Sequence, residues 1–214
     1  MNTDRACPLC GEKLRENAFR VRTGNYHQCP RCDLLVRDRA EWLSVEQERA
    51  YYLTHENAVD DPGYRAFLAP LAGALTARLP PAARGLDYGA GAAPALAAML
   101  AEAGFPTVSF DPFFAPDAAV LERRYDFITC TEVLEHMHHP ARELLLLDSL
   151  LKPGGRLGVM TELRPGDERF ADWHYHRDPT HVCFYSESCL RWIAESFGWE
   201  LEWRAGRCAI FLRP

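Results

Sequence analysis

From residue 84 onward, short apolar runs alternate with longer stretches of helical period, the pattern of consecutive β-α-β units. A run at 85–88 leads into a helix through 94–103, and a second strand falls at 107–110. A third lies at 126–131, with a helix through 141–151 after it. Pro153-Gly154-Gly155 then turns the chain into a strand at 156–161. Beyond a long polar loop, Ser186 is placed to cap a helix whose Leu190, Ile193, Ala194 and Phe197 share one face, and Gly198 ends it. Strands at 199–204 and 207–212 complete the pattern. It predicts an α/β fold, a mostly parallel sheet closed by a C-terminal antiparallel hairpin.

Upstream the pattern changes twice. Residues 41–82 read as helical: Ser44-Val45-Glu46-Gln47 has the capping-box spacing, and a second run from Pro62 to Leu79 stops at Pro80-Pro81. Residues 1–40 follow neither period and are punctuated by cysteines, with Gly11 and Gly24 as turn residues. The expected organisation is a Cys-bearing module at 1–40, a helical connector at 41–82 and the α/β domain at 83–214.

The Cys-bearing module carries its own chemistry. Four of the eight cysteines form two Cys-x-x-Cys pairs, Cys7/Cys10 and Cys29/Cys32, with eighteen residues between the pairs. That spacing matches a two-knuckle zinc ribbon, in which four thiolates close a tetrahedron and leave no open position, so the implied Zn2+ is structural. His27 is nearby but is not needed as a fourth ligand. The remaining Cys130, Cys183, Cys189 and Cys208 are scattered singly and read as small buried hydrophobes. With 48% apolar residues over 214 positions, a full core can form. No stretch of 18 apolar residues occurs and the start lacks a signal peptide's apolar region, so a soluble cytoplasmic protein without a membrane partner is expected. The formal charge of −6 is uneven: residues 1–40 hold eight Lys/Arg against five Asp/Glu, a balance of +3, leaving −9 elsewhere. An acidic body argues against broad nucleic-acid binding, while the basic ribbon keeps RNA docking open.

The bend at Gly85-Leu86-Asp87-Tyr88-Gly89-Ala90-Gly91-Ala92-Ala93-Pro94 is a strand entering a glycine-rich turn and then a helix. Glycines there let the backbone approach a ligand closely. A dinucleotide fingerprint would want a third glycine where Pro94 stands, and Pro94 has no N–H for a pyrophosphate. S-adenosylmethionine has no phosphate; its sulfonium and amino groups favour a strand-end carboxylate such as Asp87. Asp111 follows Gly91 by 20 positions, the spacing at which an acid meets ribose hydroxyls.

Further on stand Tyr125-Asp126-Phe127-Ile128, Glu132-Val133-Leu134-Glu135-His136 and Leu150-Leu151-Lys152-Pro153-Gly154-Gly155. With these, residues 84–213 closely resemble the Rossmann-like class I SAM-dependent methyltransferases, in wording similar to the ubiquinone-biosynthesis type. The resemblance implies that Asp87, Gly89 and Gly91 hold the methionine end of the cofactor and that Asp111 holds the ribose. It also implies that Thr131 and Glu132 line the other side and that Phe113 stacks on adenine. One departure stands out. Tyr125 follows Asp111 by only fourteen positions, where the family fits a helix, a strand and another helix. The sheet is therefore expected to be shortened on that edge, without the family's adenine-contacting acid.

Trp173-His174-Tyr175-His176-Arg177-Asp178-Pro179-Thr180-His181 follows the strand at 156–161, at the end of the sheet where α/β active sites lie. It has general-base potential. His181 is the first candidate, then His174, with His136 and Glu132 as further pocket residues. A polar lid, or a metal site from His174, His176 and His181, is the other reading. Tyr51, Tyr52, His55, Asn57 and Tyr64 in the connector are placed to cap the cofactor, where aromatic faces would attract a sulfonium. The expected activity is methyl transfer to a small-molecule acceptor. RNA methylation with the ribbon as docking element, and a zinc-bearing interaction protein without catalysis, are the alternatives.

Overall fold

The computed structural model describes residues 5–54 and 58–214. His55 and Asn57 lie outside the described residues. In chain order the elements are β1 (Arg15–Val21), β2 (Gly24–Gln28), β3 (Leu35–Arg37), α1 (Val45–Tyr52) and α2 (Pro62–Thr76), then β4 (Gly85–Tyr88), α3 (Ala95–Glu102) and β5 (Thr107–Phe110). There follow β6 (Tyr125–Thr131), α4 (Pro140–Leu150), β7 (Leu151–Met160), β8 (Cys183–Phe184), α5 (Glu187–Phe197), β9 (Glu200–Ala205) and β10 (Cys208–Leu212).

The main sheet has six strands in the order β5-β4-β6-β7-β10-β9. The first four are mutually parallel, and β10 runs antiparallel to both β7 and β9. This is the expected Rossmann-like sheet with a closing hairpin. The expected shortening is also present: between β5 and β6 the chain makes only a 3-10 turn at Ala118–Glu122, so β5 is the edge strand. Helices cover both faces. Leu71 and Leu75 of α2 and Leu96 and Leu100 of α3 cluster with Phe127 and Ile210. Leu144 and Leu147 of α4 cluster with Leu190 and Ile193 of α5 and with Ile128, Val159 and Phe211. Each such fully buried side chain contributes roughly 1.5–3 kcal/mol.

Local signals set the helix ends. The Ser44 hydroxyl accepts from Gln47 N while Gln47 reaches back to Ser44 N, a complete capping box. Ser186 caps α5 by accepting from Cys189 N, and Gly198 closes that helix in the left-handed conformation at φ 67°. Among the described residues no helix is long and apolar enough to cross a membrane.

The N-terminal segment is built into the body. Strands β1, β2 and β3 form a second sheet whose fourth member is β8, with Leu35 opposite Phe184 and Val36 opposite Cys183. Cys7, Cys29, Leu34 and Val36 share one buried cluster with Leu134, Val182, Cys183 and Tyr185. The two-residue β8 falls in what the sequence reads as polar loop, because two residues are too few to show a period.

Candidate active site

The bend after β4 is shaped by two glycines at positive φ, Gly89 at 73° and Gly91 at 65°. At Gly89 a side chain is excluded twice, since a Cβ there would lie 2.4 Å from Val133 Cγ2. The Asp111 carboxylate joins this bend to the turn after β5. Oδ2 accepts from Gly91 N at 2.9 Å, and Oδ1 accepts from Phe113 N at 2.8 Å and Phe114 N at 3.0 Å. A carboxylate has about four acceptor sites, so Asp111 keeps one for a ligand hydroxyl. Asp87 is only 2% exposed at the end of β4, behind the cavity wall, and accepts from the Thr129 hydroxyl at 2.7 Å. Burial pushes its carboxyl up to about 6.

Outside the carboxyl ends of the parallel strands lies a cavity of about 680 Å³. Gly89, Gly91, Asp111 and Phe113 line one side, and Thr131, Glu132, His136 and His181 line the other. The connector closes it with Glu48, Tyr52, Tyr64 and Phe67; Tyr52 and Phe113 have ring centroids 5.6 Å apart. The carboxylates of Glu48, Asp111, Glu132, Glu143 and Asp178 face it, while no lysine or arginine lines it among the described residues. Such a cavity favours a cationic guest.

The Glu132 side is densely polar and poorly hydrated. Glu132 has a positive φ of 51°, at the turn after β6. The Tyr175 hydroxyl is shared between two carboxylates, lying 3.1 Å from Glu132 Oε2 and 2.6 Å from Glu135 Oε1. The Thr161 hydroxyl donates to Glu135 Oε2 at 2.8 Å. Burial pushes both Glu132 and Glu135 up to about 7. His181 Nδ1 lies 2.7 Å from the Tyr175 carbonyl, and His136 Nδ1 lies 3.2 Å from the Thr180 carbonyl. A carbonyl only accepts, so the His181 ring carries its proton on Nδ1 and presents an Nε2 lone pair, whereas His136 Nδ1 also meets the Tyr52 hydroxyl at 3.2 Å. Burial lowers both, His181 to about 3.

The histidine loop divides. His181 and Asp178 reach the cavity, whereas His174 does not: its side chain is 69% exposed, 3.4 Å from Glu162. His176 is buried against Thr23, whose hydroxyl is 2.7 Å from its Nδ1. His174, His176 and His181 therefore do not converge. His181 instead meets Glu135 and His136, with one ligand atom of each within 4.8 Å of the others.

The four cysteines of the two Cys-x-x-Cys pairs also converge, the sulfur of each within 4.8 Å of the rest. Cys7 and Cys32 sulfurs are 3.5 Å apart, Cys10 and Cys29 3.3 Å, and all four are free thiols. Each knuckle ends on a residue of positive φ, Gly11 at 75° and Asp33 at 60°. The N-terminal segment grips the histidine loop through Arg37 of β3, which is 3% exposed. Its guanidinium donates to the Pro179 carbonyl at 2.8 Å and to the His176 carbonyl at 2.7 Å. Asp33 accepts from Arg164 and Ser186 on the same loop.

Sequence reasoning passed over Glu135, Arg37 and Glu48 as functional positions, and took Tyr175 only as one polar member of the histidine loop. Glu135 was visible within Glu132-Val133-Leu134-Glu135-His136; Tyr175, Arg37 and Glu48 gain their roles from contacts far apart in sequence.

A six-stranded Rossmann-like sheet with a glycine bend and strand-end acids around one cavity defines a class of small-ligand-binding α/β proteins. Within it, residues 62–202 match the family described as Methyltransferase domain, and the chain belongs to that family. No curated protein sequence matches it. Among solved structures it resembles a 1,6-didemethyltoxoflavin-N1-methyltransferase from Burkholderia thailandensis with bound S-adenosylhomocysteine, at TM-score 0.56 and 18% identity over 84% of this chain and 93% of that one. It also resembles a magnesium protoporphyrin IX methyltransferase from Synechocystis with bound S-adenosylhomocysteine, at TM-score 0.55 and 16% identity, covering 82% and 98%. An O-methyltransferase family protein from Burkholderia thailandensis aligns at TM-score 0.55 and 18% identity, covering 81% and 64%.

Proposed function

We propose that this chain is an S-adenosylmethionine-dependent methyltransferase of the ubiquinone-biosynthesis-like type that acts on a small-molecule acceptor in the cytoplasm. The observation that carries this reading is the pair of strand-end carboxylates, Asp87 buried and Asp111 on the wall, flanking the Gly89–Gly91 bend of an anionic cavity. A buried carboxylate held up at about 6 is one that a cationic ligand would stabilise in its ionised form. The cavity volume suits a small ligand, for which roughly 300–1,000 Å³ is usual. The bound S-adenosylhomocysteine of two structural neighbours supports the same ligand class.

When bound, the cofactor supplies an electrophilic methyl group on a positively charged sulfur. The chain's part is to bind and align. Gly89 and Gly91 keep the backbone low enough for the amino-acid end to approach Asp87. Asp111 offers its remaining acceptor site to the ribose, Phe113 offers a face to adenine, and Thr131 and Glu132 close the far side. His136 and His181 face the acceptor; His174, exposed beside Glu162, has no part in this assignment. Methyl transfer needs alignment above all, and a dry wall of fixed polar groups provides it.

Residues 1–40 form a zinc ribbon with Cys7, Cys10, Cys29 and Cys32 as ligands, residues 41–82 the cofactor cap, and 83–214 the catalytic domain. Zn–S bonds of about 2.3 Å in a tetrahedron put sulfurs about 3.8 Å apart, close to the spacing found here. The ribbon's work is to hold the loop that carries His181. RNA methylation is disfavoured by a cavity that no lysine or arginine lines among the described residues. Calorimetry with S-adenosylhomocysteine tests the reading: one site per chain is expected, and no heat at high protein concentration would overturn it. Tight RNA binding that weakens steeply with salt would move the acceptor from small molecule to RNA.

A further inference from the structure

Around His181 the structure gathers two imidazoles and two carboxylates, with the Tyr175 and Thr161 hydroxyls as the donors to the carboxylates. His181 Nδ1 is spent on the Tyr175 carbonyl, which leaves its Nε2 lone pair, while His136 Nδ1 lies 3.2 Å from both the Thr180 carbonyl and the Tyr52 hydroxyl. His136 Nε2 lies 3.8 Å from Glu135 Oε1, and His181 Nε2 lies 3.9 Å from Asp178 Oδ2. Glu132 Oε1 is buried with no hydrogen-bond partner, the Arg207 guanidinium being 3.6 Å away. Acceptor atoms within about 4 Å of one another in a buried wall repel unless a cation or a proton sits among them.

We propose that Glu135, His136 and His181 bind a divalent transition-metal ion at the acceptor end of the cavity, with Glu132 as the adjoining fourth ligand. The three ligand atoms already lie within 4.8 Å of one another. Ligands at about 2.1 Å around an octahedral ion are about 3.0–4.2 Å apart, so small side-chain rotations close the site. The outer shell is in place too. Both imidazoles are oriented through Nδ1, and Glu135 is held by the Tyr175 and Thr161 hydroxyls, as metal ligands generally are. Two imidazoles with carboxylates suit Mn2+, Fe2+, Co2+ or Zn2+ better than Ca2+, which prefers an all-oxygen set. The site differs from the ribbon in both ligand type and openness. His136 and His181 line the cavity, so positions on the ion remain free on that side.

The consequence for the acceptor, which rests on the methyl-transfer reading, is that it carries a hydroxyl. An oxygen bound to a divalent ion releases its proton to solvent far more readily than a free hydroxyl does. Such a site selects oxygen over carbon or a cationic amine.

The test is binding of Mn2+ and of Co2+ to the full-length, zinc-loaded protein, followed by calorimetry and electron paramagnetic resonance. One ion per chain beyond the ribbon zinc is expected, with nitrogen couplings from two imidazoles. His136→Asn, His181→Asn and Glu135→Gln should each weaken binding at least tenfold while S-adenosylhomocysteine binding stays. Should His181→Asn unfold the loop, the nitrogen couplings of the unaltered protein decide the matter alone. Absence of binding by either ion, or a bound ion without nitrogen couplings, overturns the proposal. S-adenosylhomocysteine binding measured in the same samples reports separately on the methyl-transfer reading.

Discussion

Replacing Asp87 by Asn separates what the fold favours at the end of β4 from what the ligand favours. The carboxyl is 2% exposed and burial raises it from 3.8 to about 6. At about 1.36 kcal/mol per pH unit, keeping it ionised in the ligand-free protein costs roughly 3 kcal/mol. The sign follows from the raised folded value. The favourable contribution of the protonated form is complete below about pH 4, the unfolded value, and is lost as pH rises through about 6. Asn is uncharged and keeps an oxygen for the Thr129 hydroxyl, which now donates to Asp87 at 2.7 Å. Ligand-free Asp87→Asn should therefore melt higher than the parent at pH 8. For a chain of this size roughly 3 kcal/mol corresponds to about 6–12 °C, and the gap should close toward pH 4. Saturating S-adenosylhomocysteine should reverse the order at pH 8, because the parent gains from the ligand and the variant gains little. Differential scanning fluorimetry across pH 4–8, with and without the ligand, measures both. A ligand-free variant less stable than the parent at pH 8, or equal ligand-induced shifts in the two proteins, would refute the reasoning.

Three further outcomes can be measured directly. Gly89→Ala adds a Cβ 2.4 Å from Val133 Cγ2 at a positive φ, and calorimetry should show S-adenosylhomocysteine binding weakened at least tenfold. Arg37→Ala leaves the Pro179 and His176 carbonyls without their charged donor; chemical denaturation should register a loss of about 1.5–3 kcal/mol for each bond. Stripping the ribbon with a chelator should release one zinc per chain and speed amide exchange across 162–185, whereas unchanged exchange would separate the ribbon from the loop.

How far the molecule was legible depends on how local each signal is. The strands at 85–88 and 107–110 and the caps Ser44, Ser186 and Gly198 are written within a few residues, and the structure places them where the sequence does. The missing edge strand was legible as a deficit of length between Asp111 and Tyr125. The Cys pairs were legible by spacing, and their sulfurs meet. What stayed hidden is long-range. His174 and His181 are equivalent by composition, and only the fold exposes one beside Glu162 and buries the other beside His136. Glu135 stood in the sequence only as one letter of a family-like motif, and its place in the site is set by Tyr175 and Thr161, from two other segments.

These hidden contacts share one mechanical origin. His181 stands 45 positions beyond His136, on a loop with no regular structure of its own except β8 and short 3-10 turns. A loop that long holds a side chain to within an ångström only if something rigid fixes it. Here β3 does so, by pairing with β8 and by sending Arg37 under the loop at Pro179 and His176. The knuckle of Cys29 and Cys32 in turn fixes β3, since it lies just before that strand and Cys29 N donates to the Leu34 carbonyl at 2.8 Å. A cysteine knuckle sixteen positions before the nearest cavity residue in sequence, Glu48, thereby sets the position of His181. This predicts that Cys29→Ser, without touching the cavity, should loosen the proposed metal binding at Glu135, His136 and His181 more than it loosens S-adenosylhomocysteine, whose proposed contacts come from the turns after β4, β5 and β6. Equal losses of both would mean that the ribbon supports the fold as a whole rather than this loop.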